Sequence, residues 1–403
     1  MSVLTQPAPI ERAAKLPEGR VPILAFVSDA ESEAAVHECL AQLSLPNAAL
    51  MRGGITKAIQ YLSAERSPNL LIVDVSEADL PVSQVHSLAE VCEPGVTVVA
   101  VGKRNDVGLY RDLLHAGVAD YIVKPLSPQV LARTLRIVTG DGTAPISQKL
   151  GKLVSFTGTR GGVGATTLAV NVAWYLANRQ GRRVALVDLD LQNGDCGLAL
   201  GIKPTRGLRE ALANPLRIDS VLIERAMTQV GERLFVMSSE EPLLDQVEFT
   251  SAAVETLITN LRQQFHYVIV DVPRFQATGY RWVLDAADTQ VLVADQTLRS
   301  VRDVVRWRAA FEGSGAHHRH LVAINRSGEG GRAGVTLREV GEALQAKPKS
   351  VIPFEPKLFA KVSSDSALPP IAGRGAVPDA IGNLALEICG QSVRPRRWWR
   401  LGA

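Results

Sequence analysis

From Val21 onward the apolar residues come in short unbroken runs separated by stretches of helical length. VPILAFV (21–27) is followed by SEAAVHECLAQL (32–43), LLIVDV (70–75), VTVVAVG (96–102), DVGLYRDLLHAG (106–117), DYIVKP (120–125) and PQVLARTLRIVTG (128–140). Runs of β-formers without polar alternation are strands buried on both faces. Their exchange with helices predicts an α/β unit with a parallel sheet over residues 21–138. TGDGTAPISQ (139–148) is small, polar and Gly/Pro-interrupted, which predicts a linker. A second alternation then begins at KLVSF (152–156) and continues through RRVALVDLD, RLFVMSS, YVIVDVP, TQVLVAD and HLVAIN. PKSVIPFEPKLFAKV (348–362) has the pattern of a strand, a turn and the start of a helix. With amphipathic stretches such as SAAVETLITNLRQQF between the runs, this predicts one large α/β domain over 149–390. Residues 1–20 hold three prolines and no sustained period and predict a loose leader, while 391–403 form a separate basic tail.

Composition changes this picture little. With 46% hydrophobic and 21% charged residues, the 403-residue chain is ordinary globular material for two or three domains, neither disordered nor fibrous. The net charge is only +3, and the arginine-rich tail alone exceeds it, so the folded body is near neutral and no nucleic-acid partner is expected. Cys39, Cys92, Cys196 and Cys389 are widely spaced with no CxxC, which argues against a disulfide framework or a zinc ribbon. No uninterrupted apolar stretch is long enough to span a membrane, and a cytoplasmic protein is expected.

Candidate chemistry is concentrated at strand ends. GTRGGVGATTLAVNVAWYLA (158–177) lies between an apolar strand and an amphipathic helix. Gly161, Gly162 and Gly164 allow successive N–H groups to turn inward, and the following helix adds its dipole, so the loop is suited to phosphate oxygens. Thr166 brings a hydroxyl to where a nucleotide-bound Mg2+ needs one. The lysine that precedes this threonine in a standard P-loop is Ala165 here, which removes the cation on the terminal phosphates; Arg160 offers compensation from the other end of the loop. Asp188 and Asp190 end the next strand on one side of it, Asp195 follows, and Asp271 ends YVIVDVP. A strand-ending acid alone is as readily a cap as a ligand; the set together favours a metal–nucleotide site.

In the first unit Asp29, Asp74 and Lys124 stand at three strand ends, the arrangement of a phospho-accepting or divalent-metal pocket. Ser28 stands where a second acid would help and Gly102 where a hydroxyl would, so a structural or dimerising role is preferred over phosphorylation. The tail PRRWWRLGA interleaves arginines with Trp398 and Trp399, which suits a protein interface, weak membrane contact or packing on its own domain. His317, His318 and His320 lie on a polar connection and are expected on a surface loop.

As an ordered set, RGGVGATTLAVNVAWYLA, VALVDLDLQNGD, RLFVMSSEEPLLDQV, FHYVIVDVPR, LVAINR and SVIPFEPKLFAKVSSDSALP resemble the TadZ/CpaE family of pilus-assembly proteins, and the resemblance runs roughly from Val21 to Leu386. It implies an N-terminal receiver-like (flavodoxin-like) parallel sheet followed by a doubly wound P-loop NTPase domain of the MinD/ParA type. It also implies ATP with Mg2+ and a nucleotide-dependent homodimer. On that resemblance Arg160 takes the place of the signature lysine that crosses to the facing subunit's nucleotide, and Ala165 that of the ordinary P-loop lysine. Gly161, Gly162, Val163, Gly164, Thr166 and Thr167 complete the loop. Asp190 matches the aspartate associated with the attacking water, Asp188 the switch aspartate and Asp271 the Walker B acid; Thr166, Asp188 and Asp271 would hold Mg2+, partly through water. Asn325 and Arg326 fall where related ATPases contact the purine. Asp74 matches a receiver's phospho-acceptor and Lys124 its lysine, in a pocket that looks degenerate. The implied role is localisation and assembly of the Flp/Tad (type IVc) pilus and secretion machinery at a cell pole, with its cytoplasmic motor ATPase as a partner and slow or absent hydrolysis. The alternative is a ParA/MinD-like ATPase with appreciable turnover that positions DNA or division components. It requires a basic stripe or a membrane-targeting helix, and the sequence displays neither.

Overall fold

The structure, a computed structural model, describes residues 22–43, 48–139, 150–245, 249–274, 278–312, 319–330, 334–345, 348, 350–359 and 370–391. The leader 1–20, the linker over 140–148, His317, His318 and the tail from 392 lie outside the described residues. The chain divides into two compact units, Met1–Gln148 and Lys149–Ala403.

In the first unit, strands β1 (Ile23–Val27), β2 (Ala49–Arg52), β3 (Leu70–Asp74), β4 (Thr97–Gly102) and β5 (Asp120–Val123) form a parallel sheet in the order β2-β1-β3-β4-β5. Because successive side chains of a strand point to opposite faces, β1 feeds two cores. Leu24 and Phe26 pack with Leu71, Val73 and Leu88, whereas Ile23, Ala25 and Val27 pack with Leu131 and Leu135. Asp29 ends the first turn of chain after β1 and caps the helix Ala30–Gln42, accepting from the Ser32 amide at 2.8 Å. The runs named above leave out β2 and the helices Ile55–Ala64 and Pro81–Val91; β2 is a four-residue edge strand, half-buried at Ala49, Leu50 and Met51 and exposed at Arg52.

Among the described residues the second unit has eight strands: β6 (Lys152–Gly158), β7 (Val184–Asp188), β8 (Thr228–Val230), β9 (Leu234–Met237), β10 (Tyr267–Asp271), β11 (Thr289–Ala294), β12 (Arg319–Ser327) and β13 (Ser350–Pro353). Their order is β13-β12-β11-β6-β10-β7-β9-β8, and only the β8–β9 pairing among them is antiparallel. From β6 the chain moves to one side of the sheet, to β7, and later returns to the other, to β11, so the order reverses at the carboxyl end of β6, where doubly wound sheets open a crevice. The helix Ala165–Asn178 leaves from that point and buries Leu168, Val172, Ala173 and Leu176 against one face; the helix Ala376–Ile388 packs beside it through Ile381 and Leu384. Contrary to the loop expected for the histidines, His320 lies in β12. Its ring stacks on Phe311 at 5.2 Å and pairs with Gln290 at 3.0 Å, because it opens the apolar run HLVAIN that forms the strand. Among the described residues no helix is long and apolar enough to cross a membrane.

Candidate functional site

The glycine loop is bent by two residues in the left-handed region, Gly162 (φ 77°) and Gly164 (φ 88°). A Cβ on Gly164 would come within 2.5 Å of the Asn325 side-chain nitrogen, so this glycine is also required by close approach. The end of β12 holds the loop from the outside. Asn325 Nδ2 donates to the Val163 carbonyl at 2.8 Å and the Arg326 guanidinium to the Gly162 carbonyl at 2.8 Å. Arg326 itself has φ 56°, a conformation costly for a non-glycine residue, and its guanidinium lies over the Phe354 ring at 5.3 Å. Val163 is buried, Gly161 and Gly162 are exposed, and Ala165, Thr166 and Thr167 open the helix half-buried.

Thr166 Oγ1 donates to Asp271 Oδ2 at 2.5 Å. Asp271 and Asp188 are register partners on the neighbouring strands β10 and β7, so the fold sets two buried carboxylates side by side. Asp188 accepts from the backbone amides of Asp190 (3.1 Å) and Cys196 (3.0 Å). Burial pushes both carboxyls above the usual carboxylate range; the charge of Asp188 adds to the rise at Asp271, and that of Asp190 to the rise at Asp188. Burial likewise pushes up the Cys196 thiol, which joins the pair: ligand atoms of Asp188, Cys196 and Asp271 all lie within 4.8 Å of one another. No arginine or lysine pairs with either acid among the described residues. Two uncompensated carboxylates beside a hydroxyl form a donor set that fits a hard divalent cation. Asp190 is half-buried and turned into its own loop, where its Oδ1 accepts from the Asn193 amide at 3.0 Å; Asp195 is exposed.

Arg160 does not stand free at the mouth of the loop. Its Nε donates to Asp295 Oδ2 at 2.9 Å, and a second guanidinium nitrogen contacts the same oxygen. Asp295 is 3% exposed, and its other oxygen accepts from the Thr297 hydroxyl at 2.7 Å. Burial alone would raise this carboxyl; Arg160 and the hydroxyls reverse that and hold it low. Asp295 and Cys196 were missed as site residues. Asp295 had a signal, since it directly follows the apolar run of β11 as Asp188 and Asp271 close theirs; Cys196 had none beyond its place in the segment that follows Asp188.

The strand-end residues of the first unit also converge. Lys124 Nζ donates to Asp74 Oδ2 at 2.5 Å and contacts Asp29 as well, so the ammonium lies between the two carboxylates. The amide and hydroxyl of Ser28 donate to the same Asp74 oxygen at 3.0 and 2.5 Å, and the Ser76 amide donates to the other at 2.9 Å. Asp74 is thereby saturated and 1% exposed. Burial works against ionisation of Asp29, but Lys124 and Ser32 outweigh it and lower its pKa to about 2. A side chain at Gly102 is blocked, since a Cβ would sit 2.5 Å from the Tyr121 hydroxyl.

Residues 151–307 match the family model of an AAA domain. The septum site-determining protein MinD of Bacillus subtilis (strain 168) is 28% identical over 159 residues, covering 39% of this chain and 58% of that protein. The chain spans little more than half the length of the first curated relatives it matches. A ParA family ATPase from Chlorobium tepidum TLS superposes with TM-score 0.54 at 21% identity over 58% of this chain and 98% of its own, a likeness of fold. The pilus assembly protein CpaE of Caulobacter crescentus CB15 is 34% identical over 29% of this chain and 91% of its own, with TM-score 0.27. The second unit carries a P-loop NTPase domain of the MinD/ParA kind.

Proposed function

We propose that this chain binds ATP with Mg2+ and acts as a nucleotide-controlled dimeric localisation and assembly factor for the Flp/Tad (type IVc) pilus and secretion machinery, with slow or absent hydrolysis. The observation that carries the reading is the Thr166 hydroxyl set on Asp271 beside Asp188, at the foot of a glycine loop whose lysine position is Ala165. The exposed amides of the loop bind phosphate oxygens, and the helix Ala165–Asn178 adds its positive end. Thr166, Asp188 and Asp271 hold the cation, which supplies charge neutralisation to the phosphates when bound. Asn325 and Arg326 flank the purine, and Asp190 orients water. Arg160 exchanges Asp295 for the nucleotide of the facing subunit, so a phosphate charge replaces a carboxylate as its partner. The pilus assignment rests on the ordered motifs of the sequence; the receiver-like first unit, the motor ATPase as partner and recruitment to a pole belong to the same reading. Because that unit's pocket is filled by its own lysine and serine, its surfaces serve contact with protein rather than phosphorylation.

The second reading, a DNA- or division-positioning ATPase with turnover, is favoured by one feature. The helix Leu298–Glu312 turns Arg299, Arg302 and Arg306 to solvent. Arg302 and Arg306 share Asp303, which leaves that face modest net charge. Calorimetric titration with Mg-ATP and Mg-ADP, coupled to light scattering and a phosphate-release assay, tests the choice. Binding with dimerisation and little phosphate release is expected. Rapid release together with salt-sensitive DNA binding would establish the second reading, and absence of ATP binding would refute both.

A further inference from the structure

The segment that carries the acids is stitched to a neighbouring loop by one carboxamide. Gln192 Nε2 donates to the carbonyls of Pro242 (3.0 Å), Leu243 (3.3 Å) and Asp245 (2.8 Å), two N–H groups shared over three acceptors. The base of that loop, residues 238–245, is fixed separately. The Glu241 amide donates to the Leu191 carbonyl at 2.8 Å, and the buried Glu241 carboxylate takes the Ser239 hydroxyl at 2.6 Å and Arg209. The tip is different, for Leu243 is 72% and Leu244 97% exposed, and among the described residues the Gln192 amide is its hydrogen-bonded link to the acid segment.

At its other end the segment has no slack. Asp188 accepts from the amides of Asp190 and Cys196, which bracket the turn bearing Gln192. Gly194 lies so close that an added Cβ would be 2.4 Å from both Asp188 Oδ2 and the Asp190 carbonyl. A shift of the Asp188 carboxylate therefore moves both ends of the turn together.

We propose that Gln192 is a positioning residue that tethers the loop 238–245 to the acid segment, so that occupancy of the Asp188–Asp271 site changes the order of the exposed Leu243–Leu244 tip. The inference deepens the proposed function and rests on it for the identity of the occupant. It makes the leucine pair the part of the second unit's surface that reports whether nucleotide is bound.

Hydrogen exchange of the full chain, with Gln192→Met and Gln192→Ala, decides it; Met keeps length without a donor, and Ala guards against misfitting of the longer chain. Without nucleotide, either variant is expected to exchange the 243–245 peptide, in which the Asp245 amide donates to the Pro242 carbonyl at 3.0 Å, about tenfold faster than wild type, with the separately fixed Glu241 amide and β10 unchanged. With saturating Mg-ATP, that peptide shifts several-fold in wild type and not in the variants, whose ATP affinity by calorimetry stays within about threefold of wild type. Unchanged exchange in both nucleotide-free variants overturns the tether. An equal nucleotide shift in variants and wild type, or none in a wild type that binds Mg-ATP, overturns the relay. A wild type that binds no Mg-ATP overturns the proposed function and the relay together, while the nucleotide-free comparison still decides the tether.

Discussion

Gly194 and Asp271 show how closely the candidate site is built. At Gly194 a methyl group would enter the space of Asp188 Oδ2 and the Asp190 carbonyl, both at 2.4 Å. Gly194→Ala is expected to destabilise the chain by about 2–3 kcal/mol, read as a fall in the denaturation midpoint, with loss of Mg-nucleotide binding because Asp188 must move. Asp271 makes the opposite case. In the metal-free protein its carboxyl, and that of Asp188, titrate above their unfolded values because they are buried together. Between about pH 4 and 8 the folded chain then holds more protons on the pair than the unfolded chain, so this contribution to stability falls as pH rises. Asp271→Asn keeps an acceptor for Thr166 and removes one charge. It should raise the melting temperature of the metal-free protein by about 2–4 °C at pH 8 and by less at pH 5, a pattern that thermal denaturation across pH would check.

At the level of elements, much of the site was legible because its strands are buried runs that close on an acid: VALVD and YVIVD name both the strand and the ligand. The edge strands β2 and β8 were not legible, since they are only four and three residues long and each exposes a polar side chain, Arg52 and Gln229. The partnership of Arg160 with Asp295 was hidden for another reason, because it joins residues that only the β6–β11 pairing brings together. In the first unit the strand-end residues were visible, but not that Lys124 would fill the space between the acids. Incubation with acetyl phosphate and Mg2+ is expected to leave Asp74 unmodified by mass spectrometry. Lys124→Ala should cost about 2–4 kcal/mol in a denaturant titration, as it strands the fully buried Asp74 and half-exposed Asp29 beside each other.

For the whole molecule, the consequence expected of Arg160 under the proposed function is assembly. If its guanidinium serves the facing subunit, Arg160→Ala should bind Mg-ATP within about threefold of wild type yet remain monomeric by light scattering. Loss of binding with loss of the dimer would instead place Arg160 on its own subunit's nucleotide. The same variant leaves Asp295 buried with the Thr297 hydroxyl, and a fall of about 1 kcal/mol in the nucleotide-free protein is expected.

Asp188 and Asp271 sit opposite each other on hydrogen-bonded strands. The spacing of their backbones is thus inherited from a repeat of about 4.8 Å, which substitution elsewhere leaves in place even where, as at Gly194, it displaces a carboxylate. The sheet thereby sets the backbone scale of the proposed cation site. The loops around it are free to diverge, trading a lysine for an alanine or acquiring a leucine-tipped projection, without recalibrating the gap on which the site depends.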